Sequence, residues 1–208
     1  MIYQKNDFKQ MIDISDEAFE KIEMYHALLL KWNKAINLVS PKSIEQAWHR
    51  HFLDSAQLSK AIPQGVKIYA DLGCGGGFPG LVLAIMNPDI AVHLVESDER
   101  KGQFMRNVVR ETGLSSVTIH TKRVEAVTDD FYPDFVTARA LSSLETLFEY
   151  CLPWAQQNKG LSFCFMKGER ANEEISMAQK RFNFEYNTIP SLTDNTAQLL
   201  FIKKLACV

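Results

Sequence analysis

The stretch from Lys67 to Lys101, KIYADLGCGGGFPGLVLAIMNPDIAVHLVESDERK, decides how this chain folds. Ile68, Tyr69 and Ala70 form an apolar run that ends in Asp71. The glycine-rich segment Gly73-Cys74-Gly75-Gly76-Gly77-Phe78-Pro79-Gly80 follows, then an apolar helical pattern from Leu81 to Met86. A second strand, Val92 to Val95, ends in Glu96. Strand, glycine loop, helix, strand and acid is the order of a mononucleotide-binding unit. The glycines let the backbone turn sharply and let a ligand approach without meeting a Cβ. Glu96, at the tip of the second strand, can accept hydrogen bonds from both hydroxyls of a ribose. Pro79 stands near the helix start, where a missing N–H costs little.

Two cofactor classes fit this unit. Gly75-x-Gly77-x-x-Gly80 satisfies a dinucleotide fingerprint, whereas Asp71-x-Gly73-x-Gly75-x-Gly77 is the pattern of an S-adenosylmethionine (SAM) site. Charge separates them. Asp71 would repel a pyrophosphate, while two acids would attract the ammonium and sulfonium of SAM. One such contact at about 4 Å is worth roughly 4 kcal/mol at an effective dielectric of 20, before desolvation is subtracted. The expected cofactor is therefore SAM.

The chain has 208 residues, enough for one domain with a full core. Apolar residues at 46% and charged residues at 23% suit a soluble globular protein. A formal net charge of −2 gives no global pull toward nucleic acid, so RNA binding would need a local basic face. The polar N-terminus and the lack of a long apolar run predict neither signal peptide nor membrane span. Cys74, Cys151, Cys164 and Cys207 are widely spaced, which favours free thiols in a reducing cytoplasm over disulfides or a metal site.

Two helices precede the cofactor unit. Ser15 caps the first, with Asp16 and Glu17 in its opening turn and Phe19, Ile22, Tyr25, Leu29 and Leu30 at helical spacing. Ser43-x-x-Gln46 reads as a capping box opening the second, which runs to about Ile62 before Pro63 and Gly65. Arg50 and Asp54 on this helix are four residues apart and can pair, and the helix reads either as a solvated face with one buried histidine or as a surface that sets Arg50 and His51 at the mouth of the site against phosphate. Residues 1–64 are thus an N-terminal helical cap, and residues 65–208 the cofactor-binding domain, in one compact unit.

Beyond Glu96, a helix carrying Phe104, Met105, Val108 and Val109 stops at Gly113. A third strand, Val117 to Thr121, leads into Lys122-Arg123-Val124-Glu125, the turn that lies beside the adenine pocket in such sheets. There Val124 can pack on the base and Glu125 can read its edge, or the stretch is an ordinary charged turn. Asp134 to Ala138 is a fourth strand with Arg139-Ala140 at its carboxyl end, where open α/β sheets bind ligands. Leu141 to Trp154 reads as helix, Gly160 to Met166 as a fifth strand closed by Lys167-Gly168, and Glu169 to Arg181 as a further helix. Phe184 to Ile189 and Ala197 to Leu205 form an antiparallel hairpin. The whole is an α/β fold of the Rossmann-like class I SAM-dependent methyltransferases: a seven-stranded, mostly parallel sheet, a C-terminal antiparallel hairpin and the N-terminal cap.

The residues after the fourth strand narrow the target. Thr137-Ala138-Arg139-Ala140 is not the Asn- or Asp-Pro-Pro-aromatic stretch of enzymes that methylate exocyclic amino groups. No Pro-Cys supplies the thiol needed at pyrimidine C5. Ring nitrogens, ribose hydroxyls and small molecules remain. Guanine N7 has an exposed lone pair and needs no proton removed, only alignment and an aromatic or cationic clamp.

Asn37-Leu38, Arg50-His51-x-x-Asp54-Ser55, Asp71-x-Gly73-x-Gly75-x-Gly77-x-Pro79-Gly80, Arg123-Val124-Glu125, Arg139-Ala140 and Lys167-Gly168 occur in this order. Together they resemble the glucose-inhibited division protein B family of bacterial 16S rRNA guanine-N7 methyltransferases, over essentially the whole chain. The resemblance implies methyl transfer from SAM to guanine N7 in 16S rRNA near the decoding centre, by a monomer acting on rRNA or the small ribosomal subunit. It implies SAM contacts at Gly73, Phe78, Val124, Glu125 and Arg139, with Gly75, Gly77 and Glu96 at the same pocket, to which the charge argument adds Asp71. Arg50, His51, Arg139 and Lys167 would stand where RNA or the target base enters. Val39 departs from a frequent Thr of the family, and Glu96 from a frequent Asp. A small-molecule methyltransferase and a SAM-binding assembly factor without transfer activity are the competing readings.

Overall fold

The computed structural model describes residues 3–208. The strands are β1 (Ile68–Leu72), β2 (Ala91–Val95), β3 (Val117–His120), β4 (Phe135–Arg139), β5 (Ser162–Lys167), β6 (Phe182–Pro190) and β7 (Gln198–Cys207). They form one sheet in the order β3-β2-β1-β4-β5-β7-β6. The first five pair in parallel, and β7 runs antiparallel to both β5 and β6. This is the mostly parallel sheet with a terminal hairpin that the sequence predicts. β1, β4 and β5 are nearly continuous buried runs because the sheet is covered on both faces. Two apolar layers result, one shared with the N-terminal cap and one beneath the helices that follow β4 and β5.

The cap opens with α1 (Lys5–Met11), which the sequence reading did not anticipate. Its single buried side chain, Phe8, is fully enclosed beside Phe19 and Trp48. In α2 (Asp16–Trp32) the Ser15 hydroxyl accepts from the Ala18 N–H, and Phe19, Ile22, Tyr25 and Leu29 turn inward as their spacing predicts.

The expected long second helix is not continuous. Ser40, not Ser43, is the cap of α3 (Pro41–Ile44), because Pro41 presets the first helical turn and the Ser40 hydroxyl accepts from the Ser43 N–H. A wide π-helical turn, Trp48–Leu53, then runs into α4 (Asp54–Ala56) and a tight 3-10 turn, Gln57–Ala61. The wide turn buries Trp48, His51, Phe52 and Leu53 together.

The remaining helices are α5 (Gly80–Met86), α6 (Glu99–Thr112), α7 (Leu144–Gln157) and α8 (Ala171–Ala178). Gly113 ends α6 in the left-handed conformation, with φ 65°. α7 starts three residues later than expected because Ser143 caps it, accepting from the Thr146 N–H. Ala140 to Ser142 are thereby left as a loop over the carboxyl end of the sheet. α8 is shorter than the expected Glu169-to-Arg181 helix. None of the four cysteines is in a disulfide. Among the described residues no helix is long and apolar enough to cross a membrane, and no group of three or more His, Cys, Asp or Glu is arranged to hold a metal ion.

Candidate active site

The glycine loop bridges β1 and α5 at the carboxyl end of the sheet. Gly73, Gly75 and Gly77 have φ of 62°, 56° and 92°, which a side chain would resist. The Gly75 N–H donates to Glu96 Oε2 (2.9 Å), tying the loop to the tip of β2. From the other side the Tyr25 hydroxyl donates to the Gly76 carbonyl, and its ring stacks on Phe78 at 5.1 Å. The cap therefore holds the loop directly, through a residue that the sequence marked only as core.

Two cavities meet across this loop. The larger, about 530 Å³, is lined by Gly73, Gly75, Phe78, Arg50, His51, Arg139 and Lys167. The smaller, about 270 Å³, is lined by Gly73, Gly75, Glu96, Val124 and Glu125, with Lys101 and Arg123. Gly73, Gly75 and Ala140 border both. Most of the expected site residues are thus gathered at one end of the sheet. Leu141 packs on Gly73 so closely that a Cβ there would lie 2.4 Å from its Cδ1.

Two expected cofactor contacts do not line either cavity. Asp71 sits inside β1, between β2 and β4, and is fully buried. Its Oδ2 accepts the Gly80 N–H and its Oδ1 the Thr137 hydroxyl, each at 2.8 Å. Burial lifts its pKa to about 7 against the lowering pull of these bonds and of Arg139. The attraction assigned to it from sequence required an exposed carboxylate; in a central strand it fixes the backbone at the start of α5 instead. Gly77 faces inward too, where a Cβ would meet Leu81 at 2.4 Å and the Tyr25 hydroxyl at 2.9 Å.

The polar side of the larger cavity is organised by Arg139. One Nη1 reaches Asp54 Oδ2 and the Arg50 carbonyl, both at 3.2 Å, and Nη2 lies 3.1 Å from His51 Nδ1. A guanidinium only donates, so His51 Nδ1 accepts and Nε2 carries the proton. His51 is 7% exposed and lies against Phe78, with ring centroids 5.1 Å apart. Burial, then the charges of Arg139 and Arg50, push its pKa down to about 3. It is therefore neutral near pH 7, a buried histidine that borders the cavity. The Arg50–Asp54 pair read from helical spacing does not form. Asp54 is taken by Arg139, and Arg50 lies 3.7 Å from Asp194 in the β6–β7 loop. Lys167 is 7% exposed and donates to Glu174 Oε2 (2.7 Å) and the Ser142 carbonyl (2.8 Å). Asp54, Glu174 and Asp194 are the acids of this cavity, and each faces its own cation.

Residues 18–200 match the profile of the rRNA small subunit methyltransferase G family. The chain belongs to that family. A protein named ribosomal RNA small subunit methyltransferase G from Parvibaculum lavamentivorans is 40% identical over 98% of this chain and 91% of its own length. One of the same name from Rhodospirillum centenum is 41% identical over 98% and 92%. Among solved structures, a variant of MtNAS in complex with S-adenosylmethionine superposes with a TM-score of 0.59 at 14% identity, covering 96% of this chain and 84% of that one. At that identity the likeness concerns the fold alone, and the fold is that of a class I SAM-dependent methyltransferase. Membership in the methyltransferase G family fits the residues of the site. Two cavities joined across a glycine loop, an acid at the tip of β2 and a guanidinium at the tip of β4 suit SAM, an adenosine extended by a charged amino acid.

Proposed function

We propose that this SAM-dependent rRNA methyltransferase methylates N7 of a guanine in 16S rRNA, with the adenosine of SAM in the smaller cavity and the target base in the larger. SAM, when bound, supplies an electrophilic methyl group on a sulfonium. Glu96 accepts hydrogen bonds from the ribose hydroxyls, Val124 packs on the adenine and Glu125 reads its edge. Gly73, Gly75 and Phe78 form the floor between the two halves. Asp71 and Gly77 act from below, by holding the loop in shape. Arg139 has five N–H groups, and three contacts to Arg50, Asp54 and His51 leave two for cofactor or base. Arg50 and Lys167 steer phosphate, Arg50 from its exposed position and Lys167 with the one donor left free by Glu174 and Ser142. Neutral His51 accepts a hydrogen bond from Arg139. Residues 1–64 serve as a cap on the domain formed by residues 65–208.

The pairing of every cavity acid with a cation carries the choice of N7. Methylation of a hydroxyl or an exocyclic amine releases a proton that a base must take, whereas N7 attacks through a lone pair already free. With Asp54, Glu174 and Asp194 neutralised by Arg139, Lys167 and Arg50, and His51 Nδ1 occupied, the cavity offers alignment but no free base. The protein acts as a monomer in the cytoplasm, on rRNA or on the small ribosomal subunit.

The test is nucleoside mass spectrometry of unmodified small-subunit rRNA and of intact small subunits, each incubated with SAM and the protein. New 7-methylguanosine, lost in Arg139→Ala, supports reaction and site together. Another methylated nucleoside would overturn the N7 assignment. None at all, despite SAM binding, would favour a small-molecule methyltransferase or an assembly factor without transfer activity.

A further inference from the structure

We propose that Asp54 is the positioning residue of this site: it sets the Arg139 guanidinium and locks the β6–β7 loop over the same cavity. The proposal rests on the methyltransferase reading above. Asp54 Oδ2 faces Arg139 Nη1 at 3.2 Å, with the two side chains 15% and 19% exposed. Its Oδ1 accepts from the Thr193 hydroxyl and from Gln57 Nε2 (3.0 Å). Gln57 in turn accepts from the Leu192 N–H (2.9 Å) and donates to the Ser191 hydroxyl (3.3 Å). One carboxylate therefore joins three distant pieces of chain: the cap, the end of β4 and the hairpin loop. Arg139, Asp54, Ser191 and Thr193 all border the larger cavity.

The chemistry of Arg139 makes this position consequential. A guanidinium on a long side chain has many rotamers, and its planar fork is useful only when its direction is fixed. The Arg50 carbonyl and neutral His51 are weak anchors. Among the described residues Asp54 is the only carboxylate bonded to Arg139, and its charge-assisted bond is the strongest of the three. Holding Nη1 against Asp54 and Arg50 leaves Nε and one Nη2 hydrogen for the cavity. Because the same carboxylate holds Thr193, the fork and the loop keep a fixed spacing across the space where a base must enter.

The experiment is a double-mutant cycle on methyl transfer. Wild type, Asp54→Asn, Arg139→Lys and the double variant are assayed with labelled SAM and small ribosomal subunits lacking the modification. SAM affinity and thermal midpoint are measured alongside. Asp54→Asn is expected to lower kcat/KM 10- to 100-fold in the wild-type background. In the Arg139→Lys background, where no fork remains to be set, it is expected to lower it less than threefold. Asp54→Glu, which keeps the charge, is expected to recover at least a third of the activity, and it decides the matter should Asp54→Asn fail to fold. Equal losses in both backgrounds, or wild-type rates in Asp54→Asn, would overturn the proposal while leaving the methyltransferase reading intact. A wild-type protein that binds SAM but transfers nothing would overturn that reading and this proposal with it.

Discussion

Replacing Thr137 by Val tests the buried network beneath the glycine loop. Thr137 Oγ1 lies 2.8 Å from Asp71 Oδ1 and 2.6 Å from the Tyr69 hydroxyl, and all three residues are 99 to 100% buried. Valine keeps the shape and removes the hydroxyl. The bond to the carboxyl group is worth about 1.5–3 kcal/mol, and a Tyr69 hydroxyl left without a partner costs about 1–3 kcal/mol. The extra apolar group returns about 0.8 kcal/mol. The expected net loss is about 2–5 kcal/mol.

The sign of its pH dependence follows from Asp71. Its folded pKa, about 7, lies above the ordinary 3.8, so its contribution to stability is full below pH 3.8 and is lost as pH rises through 7. The Thr137 bond lowers the folded value, so Thr137→Val raises it further. At pH 5.5 Asp71 is neutral in both folded proteins; at pH 8.5 wild type ionises it with the help of Thr137 and the variant lacks that help. Each unit of difference adds about 1.4 kcal/mol to the penalty. Urea unfolding at both pH values measures it, with the slope m checking that the unfolded states match. A loss under 1 kcal/mol at pH 8.5, or equal losses at both pH values, would refute the argument.

Other expectations follow from the same geometry. Gly80→Ala would place a Cβ 2.2 Å from Leu94 Cδ2 and 2.8 Å from Asp71 Oδ2. It should cost about 1–3 kcal/mol by overpacking and weaken SAM binding, read by unfolding and by calorimetric titration. Tyr25→Phe removes the donor to the Gly76 carbonyl; stability should fall by about 1 kcal/mol and the KM for SAM should rise, since the loop loses its tie to the cap. Burial first, then nearby positive charge at Arg139 and Arg50, lowers His51 to about 3; burial first, then His120, lowers His93 to about 4. As pH falls from about 6.5 toward 4, the unfolded chain therefore takes up protons at both that the folded chain refuses, while Asp71 alone works in the opposite direction. Stability should drop across that window, and His93→Phe should flatten the drop in unfolding measured at successive pH values.

The sheet was legible because its signals are local: an apolar run, a turn that glycine permits, a helix cap. Ser15 opens a helix and Gly113 closes one where the chain predicts. The polar residues were harder, since each of their roles is set by partners far along the chain. Arg50 and Asp54 have the spacing of a helical pair, yet Arg139, 85 residues on, takes Asp54, and Arg50 turns to Asp194. His51 and Lys167 carry the right chemistry for phosphate, but burial keeps His51 neutral, and Glu174 and Ser142 leave Lys167 a single donor. Asp71 carries the clearest lesson. It stands one residue inside the end of β1, buried in the packed layer with its oxygens held by the Gly80 N–H and the Thr137 hydroxyl, so it borders neither cavity. The acid that does is the one just past its strand, and Glu96 is that residue: it borders the smaller cavity while holding the Gly75 N–H. Two acids of the same apparent motif thus divide the work by a single difference in position, one shaping the loop from within and the other facing what the loop holds.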